Sequence, residues 1–270
     1  MGVIVSFHAH PDDESIGNAG TLARAVAAGH RVVLVFATRG ELGEPVPGVL
    51  AEGEQLSIRR SAECYDSAAA IGAERVEFLG YTDSGMIDEP SNDAPYCFWQ
   101  ADVEHAARRL ALILEEERPD VLTVYDDNGG YGHPDHIQVH RVGRRAAERS
   151  GVPVVAQGTI NRDLVARQVA AAVEAGQFPE GSDPPPTDDA TFGKPEREIT
   201  HRVDVGDVVA TKRKSMLAHA SQIAPDHFLV AMPEEMFAGV LGTEFFIVDP
   251  VPDPATAPAV FTELFAPMRP

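Results

Sequence analysis

Along the chain, short unbroken apolar runs alternate with longer stretches of apolar residues at helical spacing. Residues 3–7 (VIVSF) form a buried-strand run, and Ile16, Ala19, Leu22, Ala23 and Val26 then recur at helical intervals up to Gly29. Residues 31–38 (RVVLVFAT) predict a second strand, residues 52–71 a helix stopped by Gly72, and residues 76–79 a third strand. A helix over 101–116 sets Val103, Ala107, Leu110 and Leu114 on one face, and residues 121–125 predict a fourth strand after Pro119-Asp120. Another helix begins near Asp135, and residues 152–156 predict a fifth strand. Further on, 199–205 and 243–248 read as strands, 208–219 as a helix, and the Pro-rich tail from Pro250 as irregular.

Near-continuous apolar strands separated by helices call for a mostly parallel sheet with helices on both faces. The expected class is therefore α/β: a Rossmann-like open sheet with a smaller C-terminal α+β portion. A single domain over 1–270 is expected, with residues 1–157 as the core and 158–270 completing the cleft. Strands one and four each run into a histidine-bearing loop. In an open parallel sheet those two ends can lie side by side at a topological switch point, where such folds place their ligands.

Composition narrows the partners. The 270 residues are 44% hydrophobic, enough for a full core, and the formal net charge is −20 with no basic block. Nucleic acid and anionic membrane surfaces are thus poor partners. No apolar run reaches the roughly 18 residues of a membrane span. No cationic leader precedes the first strand, and Cys64 and Cys97 form no disulfide framework, so a cytoplasmic location is expected. Oligomeric state is not legible, and a homo-oligomer is compatible with the pattern.

The first loop, His8-Ala9-His10-Pro11-Asp12-Asp13-Glu14, packs two imidazoles and three carboxylates where a strand turns toward a helix. Acids at a helix N-terminus suit its dipole, which accounts for the carboxylates but leaves the histidines without a reason. Imidazole with carboxylate is the ligand mix of catalytic zinc, and a spare carboxylate beside the metal can activate water. The loop after strand four, Tyr125 to His136, supplies His133, Asp135 and His136 around Pro134, which suits a first helical position. His140 lies one turn beyond His136 and is assigned to packing.

The His-Pro-Asp-Asp-Glu segment after strand one, together with Tyr-Gly-His-Pro-Asp-His after strand four, resembles the PIG-L/LmbE family of zinc-dependent N-deacetylases. The resemblance extends through Arg60-Ser61-Ala62-Glu63, Asp83-Ser84-Gly85-Met86, Asn128-Gly129-Gly130 and Lys212 to Gln222. Within the family it is most similar to the actinobacterial branch of the mycothiol-pathway deacetylase and mycothiol-conjugate amidase. It implies Zn2+ ligands His10, Asp13 and His136, with Asp12 as general base. It implies that His133 stabilises the oxyanion and passes a proton to the amine, oriented by Asp135, while Tyr131 polarises the carbonyl. Arg60 and Asp83 are implied to contact the substrate.

Amide hydrolysis needs each of these parts: an activated water, a base, a partner for the oxyanion and a proton for the nitrogen. Iron(II) or another divalent ion suits the same two-His, one-Asp set. The expected activity is removal of acetyl from a small-molecule N-acetylated amino sugar or its glycoconjugate. Cleavage of a larger thiol conjugate is the alternative, and a non-catalytic metal or sugar-binding module is the third reading. Such a module has no need of Asp12 and His133. His8 and Glu14 are assigned supporting roles. Arg39, Glu41, Asn92, Asp93, Trp99, His219 and Gln222 are candidates for bordering the cleft, and the insert 181–189 (GSDPPPTDD) is expected to be a stiff exposed loop.

Overall fold

The structure, a computed structural model, describes residues 1–176 and 190–268, so the 181–189 insert lies outside the described residues. In chain order the elements are β1 (Val3–His8), α1 (Asp13–Gly17), α2 (Ala19–Ala27), β2 (Arg31–Phe36), α3 (Leu56–Ile71) and β3 (Arg75–Phe78). There follow α4 (Val103–Glu117), β4 (Val121–Tyr125), α5 (Pro134–Ser150), β5 (Val154–Thr159) and α6 (Arg162–Glu174). The C-terminal part holds β6 (His201–Asp204), α7 (Val209–Ala218), α8 (Glu234–Leu241), β7 (Thr243–Val248), α9 (Ala259–Leu264) and β8 (Ala266–Pro267).

One sheet runs through the described residues in the order β3-β2-β1-β4-β5-β7-β6-β8. Its first five strands pair in parallel, and β7, β6 and β8 continue it antiparallel. The expected α/β class holds. The C-terminal strands extend the same sheet instead of building a separate layer. β1 pairs with β2 on one side and β4 on the other, so the chain order reverses beside β1. That is the switch point, and the two histidine loops leave it together.

Strand alternation divides the core. Ile4, Val32 and Leu34 face one layer with Leu22 of α2, Cys64 and Ile71 of α3, and Phe261 and Leu264 of α9. Val5, Phe7, Val33 and Val35 face the other, against Leu110 and Leu114 of α4 and Val139 and Val142 of α5. Local expectations are corrected or completed. The tail is not irregular throughout: residues 259–264 (AVFTEL) make α9, whose apolar side chains close the first layer, and β8 pairs with β6. Residues 162–174, which carried no assignment, form α6, capped by Asn161 through Leu164 N. The first helix is also divided at Asn18, whose amide is drawn inward to Thr123 and Ser6 at the sheet.

A buried ion pair ties the C-terminal part to the first βα unit. Glu244 of β7 accepts the backbone N–H groups of Gly20 and Thr21 at 3.0 and 2.8 Å and Lys212 Nζ at 2.6 Å. Both Lys212 and Glu244 are buried. Glu244→Ala strands a buried ammonium and two helix N–H groups, so it is expected to cost about 3–5 kcal/mol of unfolding free energy in denaturant titration. A loss below about 1 kcal/mol, the range of an exposed pair, would show that water reaches Lys212. Among the described residues no helix is long and apolar enough to cross a membrane.

Candidate active site

The end of β1 sets the first loop. Its Pro11 carbonyl and the Gly40 carbonyl both accept from the Arg60 guanidinium, and Arg60 Nη2 lies 3.2 Å from Asp12 Oδ1. Gly40, at φ 64°, has no room for a Cβ against that guanidinium. Asp12 itself has φ 112°, a left-handed conformation that costs a non-glycine residue about 1–3 kcal/mol. Glu14 holds the turn in this shape: its carboxylate accepts Asp12 N at 3.0 Å, the Ser67 hydroxyl, and His219 Nε2 at 2.6 Å. Adjacent carboxylates therefore point apart, Asp12 toward Arg60 and Asp13 toward the histidines.

Asp13 lies between imidazoles from both loops. Its Oδ2 is 3.5 Å from His10 Nδ1 and accepts His10 N–H at 2.8 Å, while Oδ1 is 3.3 Å from His136 Nε2. The far nitrogens of both rings are held elsewhere. His10 Nε2 meets Asp135 Oδ2 at 3.2 Å and Asp83 Oδ1 at 3.4 Å, and His136 Nδ1 meets Gly129 O at 3.1 Å. Gly129, at φ 65°, permits that contact, since a Cβ there would meet His136 Cβ at 2.6 Å. His136 Nε2 is buried, and despite the nearby Asp13 oxygen it has no partner in hydrogen-bond geometry.

This pattern fits a divalent cation. The His10 and His136 imidazoles are each oriented through the outer nitrogen by a carboxylate or a carbonyl, with the inner nitrogen turned to Asp13, an orientation that metal-binding histidines share. His10, His133 and His136 also offer ring nitrogens within 4.8 Å of one another, and His10, Asp83 and Asp135 form a second such group. In the first group the His133 Nδ1 is engaged, accepting Asp135 N–H at 3.1 Å. In the second the acids grip the outer nitrogen of His10. Charge points the same way. Burial opposes charging of His10, but hydrogen bonds to Asp13, Asp135 and Asp83 outweigh it and hold its pKa well above 6.5. Burial likewise opposes Asp13, yet His136 and His10 hold it well below the usual carboxylate range. The acids here call for a cation.

Asp12 differs from its neighbour. Burial pushes its pKa up to about 6, with Arg60 pulling the other way and Asp13 adding to the rise. The motif's pairing of Asp135 with His133 takes another form in three dimensions. The Asp135 carboxylate is fully buried on His10, Ser84 N at 2.9 Å and the Ser84 hydroxyl. Its link to His133 runs through its backbone N–H. Burial, with His10 and His136 nearby, lowers the His133 pKa to about 4, so the ring is neutral with its proton on Nε2. Tyr131 is 43% exposed, its ring 5.0 Å from that of His136 and 6.2 Å from that of His133. Burial and the charge of Asp13 push its phenol up, so it stays protonated.

Other candidates divide. Glu41 accepts Asp83 N–H at 3.0 Å, and Asp83 Oδ2 accepts Leu42 N–H at 3.3 Å, so both belong to the rim. His219 reaches the first loop through Glu14, and Gln222 Oε1 lies with the Arg60 guanidinium beside Gly43. Arg39 instead covers Phe78 at 4.9 Å, and Trp99 lies under the Arg141 guanidinium at 4.8 Å. Asn92 Nδ2 binds the carbonyls of Ser84 and Met86, which fixes the loop. Ser84, Ser67 and the Tyr125 hydroxyl were missed. Of these, Ser84 and Tyr125 sat in patches that drew attention, but a lone hydroxyl carries no periodic or spacing signal.

Residues 5–147 match the family profile described as PIG-L, GlcNAc-PI de-N-acetylase. The chain is 39% identical to a 1D-myo-inositol 2-acetamido-2-deoxy-alpha-D-glucopyranoside deacetylase of Thermobifida fusca, over 96% of this chain and 97% of that one. A protein of the same description from Nocardiopsis dassonvillei is 40% identical over 96% and 98%. Among solved structures, the N,N'-diacetylchitobiose deacetylase of Pyrococcus horikoshii superposes with TM-score 0.57 at 22% identity, covering 92% of this chain and 84% of that one. A 4-carboxy-2-hydroxymuconate hydratase from Pseudomonas putida gives TM-score 0.57 at 17% identity over 94% and 98%. The fold alone is therefore shared with a different chemistry, and the full-length relatives carry the distinction.

Proposed function

The chain belongs to the PIG-L family of de-N-acetylases, and from that premise we propose that its substrate is an N-acetylglucosamine joined to an uncharged polyol of the inositol class. It is a metal-dependent N-deacetylase that hydrolyses the acetamide of an N-acetylated amino sugar to free amine and acetate. The observation that carries the site reading is the Asp13 carboxylate between inward nitrogens of His10 and His136, with Asp12 beside it turned toward Arg60.

In this reading His10, Asp13 and His136 hold the ion. Zn2+ is the ion of choice for this donor set, and when bound it supplies Lewis acidity and lowers the pKa of a water. Asp12 takes a proton from the attacking water as the carbon–oxygen bond forms at the acetyl carbon. A pKa near 6 suits that task, basic enough to accept and acidic enough to return the proton. His133 donates a hydrogen bond to the developing oxyanion from neutral Nε2, and the Tyr131 phenol adds a second donor. As the carbon–nitrogen bond breaks, Asp12 delivers its proton to the amine nitrogen. This assigns proton transfer to Asp12, because burial with His10 and His136 outweighs the charges of Asp135 and Asp13 and brings the His133 pKa to about 4.

The polyol proposal follows from charge and from the names of the relatives. The rim near the site carries Asp83 and Glu41, and the site itself Asp12 and Asp13. Arg60, implied to contact substrate, already turns Nη1 to the Gly40 carbonyl and Nη2 to the Pro11 carbonyl and Asp12. A phosphate on the substrate meets repulsion here, whereas hydroxyls find acceptors. Metal-loaded protein is expected to release acetate fastest from N-acetylglucosaminyl-inositol, more slowly from an inositol-phosphorylated counterpart, and not to cleave a thiol S-conjugate amide. Turnover of the thiol conjugate without deacetylation of the sugar would move the assignment to the amidase reading. A cytoplasmic setting is the companion proposal, supported by two buried free thiols, Cys64 and Cys97.

A further inference from the structure

Tyr125 ends β4, and none of the hydrolytic steps uses it. Its ring lies flat on His136, centroids 4.3 Å apart at an interplanar angle of 13°. Its hydroxyl accepts Ala9 N–H at 3.2 Å, stands 3.3 Å from His8 Nδ1, and faces the Asp13 carboxylate, whose charge acts on it. Behind it runs a buried polar chain. His8 Nε2 is 2.6 Å from Ser6 Oγ, and Ser6 Oγ is 2.5 Å from Thr123 Oγ1. Asn18 Nδ2 donates to Thr123 Oγ1 at 3.1 Å and to Ser6 Oγ at 3.4 Å. All four residues behind Tyr125 are buried.

The chain has a direction. An amide NH2 only donates, so Asn18 is its donor end, and a carboxylate only accepts, so Asp13 is its acceptor end. With Thr123 donating to Ser6, Ser6 to His8 Nε2, and His8 Nδ1–H to Tyr125, every hydroxyl both accepts and donates. The phenol then accepts from Ala9 and His8 and has one hydrogen left, for Asp13. Run in reverse, the Tyr125 hydrogen goes to His8, and the Thr123 hydrogen finds no acceptor among the described residues. A buried hydroxyl without an acceptor is disfavoured by about 1–3 kcal/mol. Successive hydrogen bonds in one direction also strengthen one another.

We infer that Tyr125, aimed by the relay His8–Ser6–Thr123–Asn18, is the positioning residue of the metal site, its hydroxyl fixing the Asp13 carboxylate and its ring fixing the His136 imidazole. One side chain thereby registers ligands from the two separate loops. The inference rests on the reading of His10, Asp13 and His136 as ligands, and its test is metal affinity itself. Partners behind metal ligands contribute about 10- to 100-fold to affinity.

The measurement is the Zn2+ dissociation constant by competition with a chromophoric chelator, alongside KM at saturating metal. Tyr125→Phe keeps the ring on His136 and loses the hydroxyl, so Kd is expected to rise about 10-fold with KM nearly unchanged. Tyr125→Leu removes both contacts and raises Kd further. Thr123→Val breaks the relay away from either loop and is expected to raise Kd less, in the same direction. It also serves if the Tyr125 variants do not fold. A merely structural role lowers unfolding stability without moving Kd. Wild-type protein that takes up no Zn2+ overturns the ligand reading and this inference together. Normal wild-type binding with Kd unchanged in Tyr125→Phe and Thr123→Val overturns this inference alone.

Discussion

Asp12→Ala is expected to lower kcat by about 100- to 10,000-fold, the range supplied by a positioned general base, with bound metal retained. The metal is retained because Asp12 faces Arg60, and the contacts that orient His10 and His136 come from Asp13, Asp135 and Gly129. The sign of the pH dependence follows from the same carboxylate. In the proposed role Asp12 acts when ionised, and burial has raised its pKa to about 6, so wild-type kcat/KM should fall as pH drops through that value. Arg60 favours the ionised form, and Arg60→Ala should therefore move the acid limb to higher pH. Steady-state pH profiles with metal content measured on each variant check both statements. Near-native turnover by metal-replete Asp12→Ala would sink the assignment.

The second large effect is removal of the ion. A strong chelator is expected to reduce deacetylation to background, and one equivalent of Zn2+ per chain to restore it. His136→Ala should bring the same loss without recovery at that stoichiometry. The physical ground is the collection of acids around His10. Asp13, Asp83 and Asp135 all approach its ring, and in the metal-free protein that imidazole is driven toward its charged form. A cation held by His10, Asp13 and His136 would supply that charge balance in place of the imidazole proton. Full activity in protein shown by elemental analysis to be metal-free would exclude the mechanism.

Much of this was legible in the residues. The strands 3–7 and 121–125 were marked by β-rich apolar runs, and the βα alternation allowed them to pair at a switch point. Both loops announced themselves by density: His10, Asp12 and Asp13 in one, His133, Asp135 and His136 in the other. Other features left weaker traces. α9 was hidden because Pro250, Pro252, Pro254 and Pro258 dominate its neighbourhood, although Val260, Phe261 and Leu264 supply a core face. Asp135 was paired with His133 because the two are close in sequence. Its carboxylate instead follows the direction of α5 inward, to His10 and Ser84 from two other loops. Arg60 and Tyr125 offered no spacing signal, since each acts through contacts across 49 and 116 residues of chain.

By itself, then, the sequence determined the layer architecture and the chemical inventory: hydrophobic periodicity is local, and so is a cluster of metal-capable side chains within seven residues. Which of those groups face one another was decided by the tertiary structure. Adjacency of β1 and β4 brings Asp13 between His10 and His136, the left-handed turn at Asp12 sends two neighbouring carboxylates apart, to Arg60 and to the histidines, and Glu14 holds that turn through His219, contributed by the end of α7. Hydrogen bonds and charge interactions reach only a few ångströms, so a residue's role is set by what the fold places within that distance. Chain neighbourhood proposes the candidates, and spatial neighbourhood assigns them.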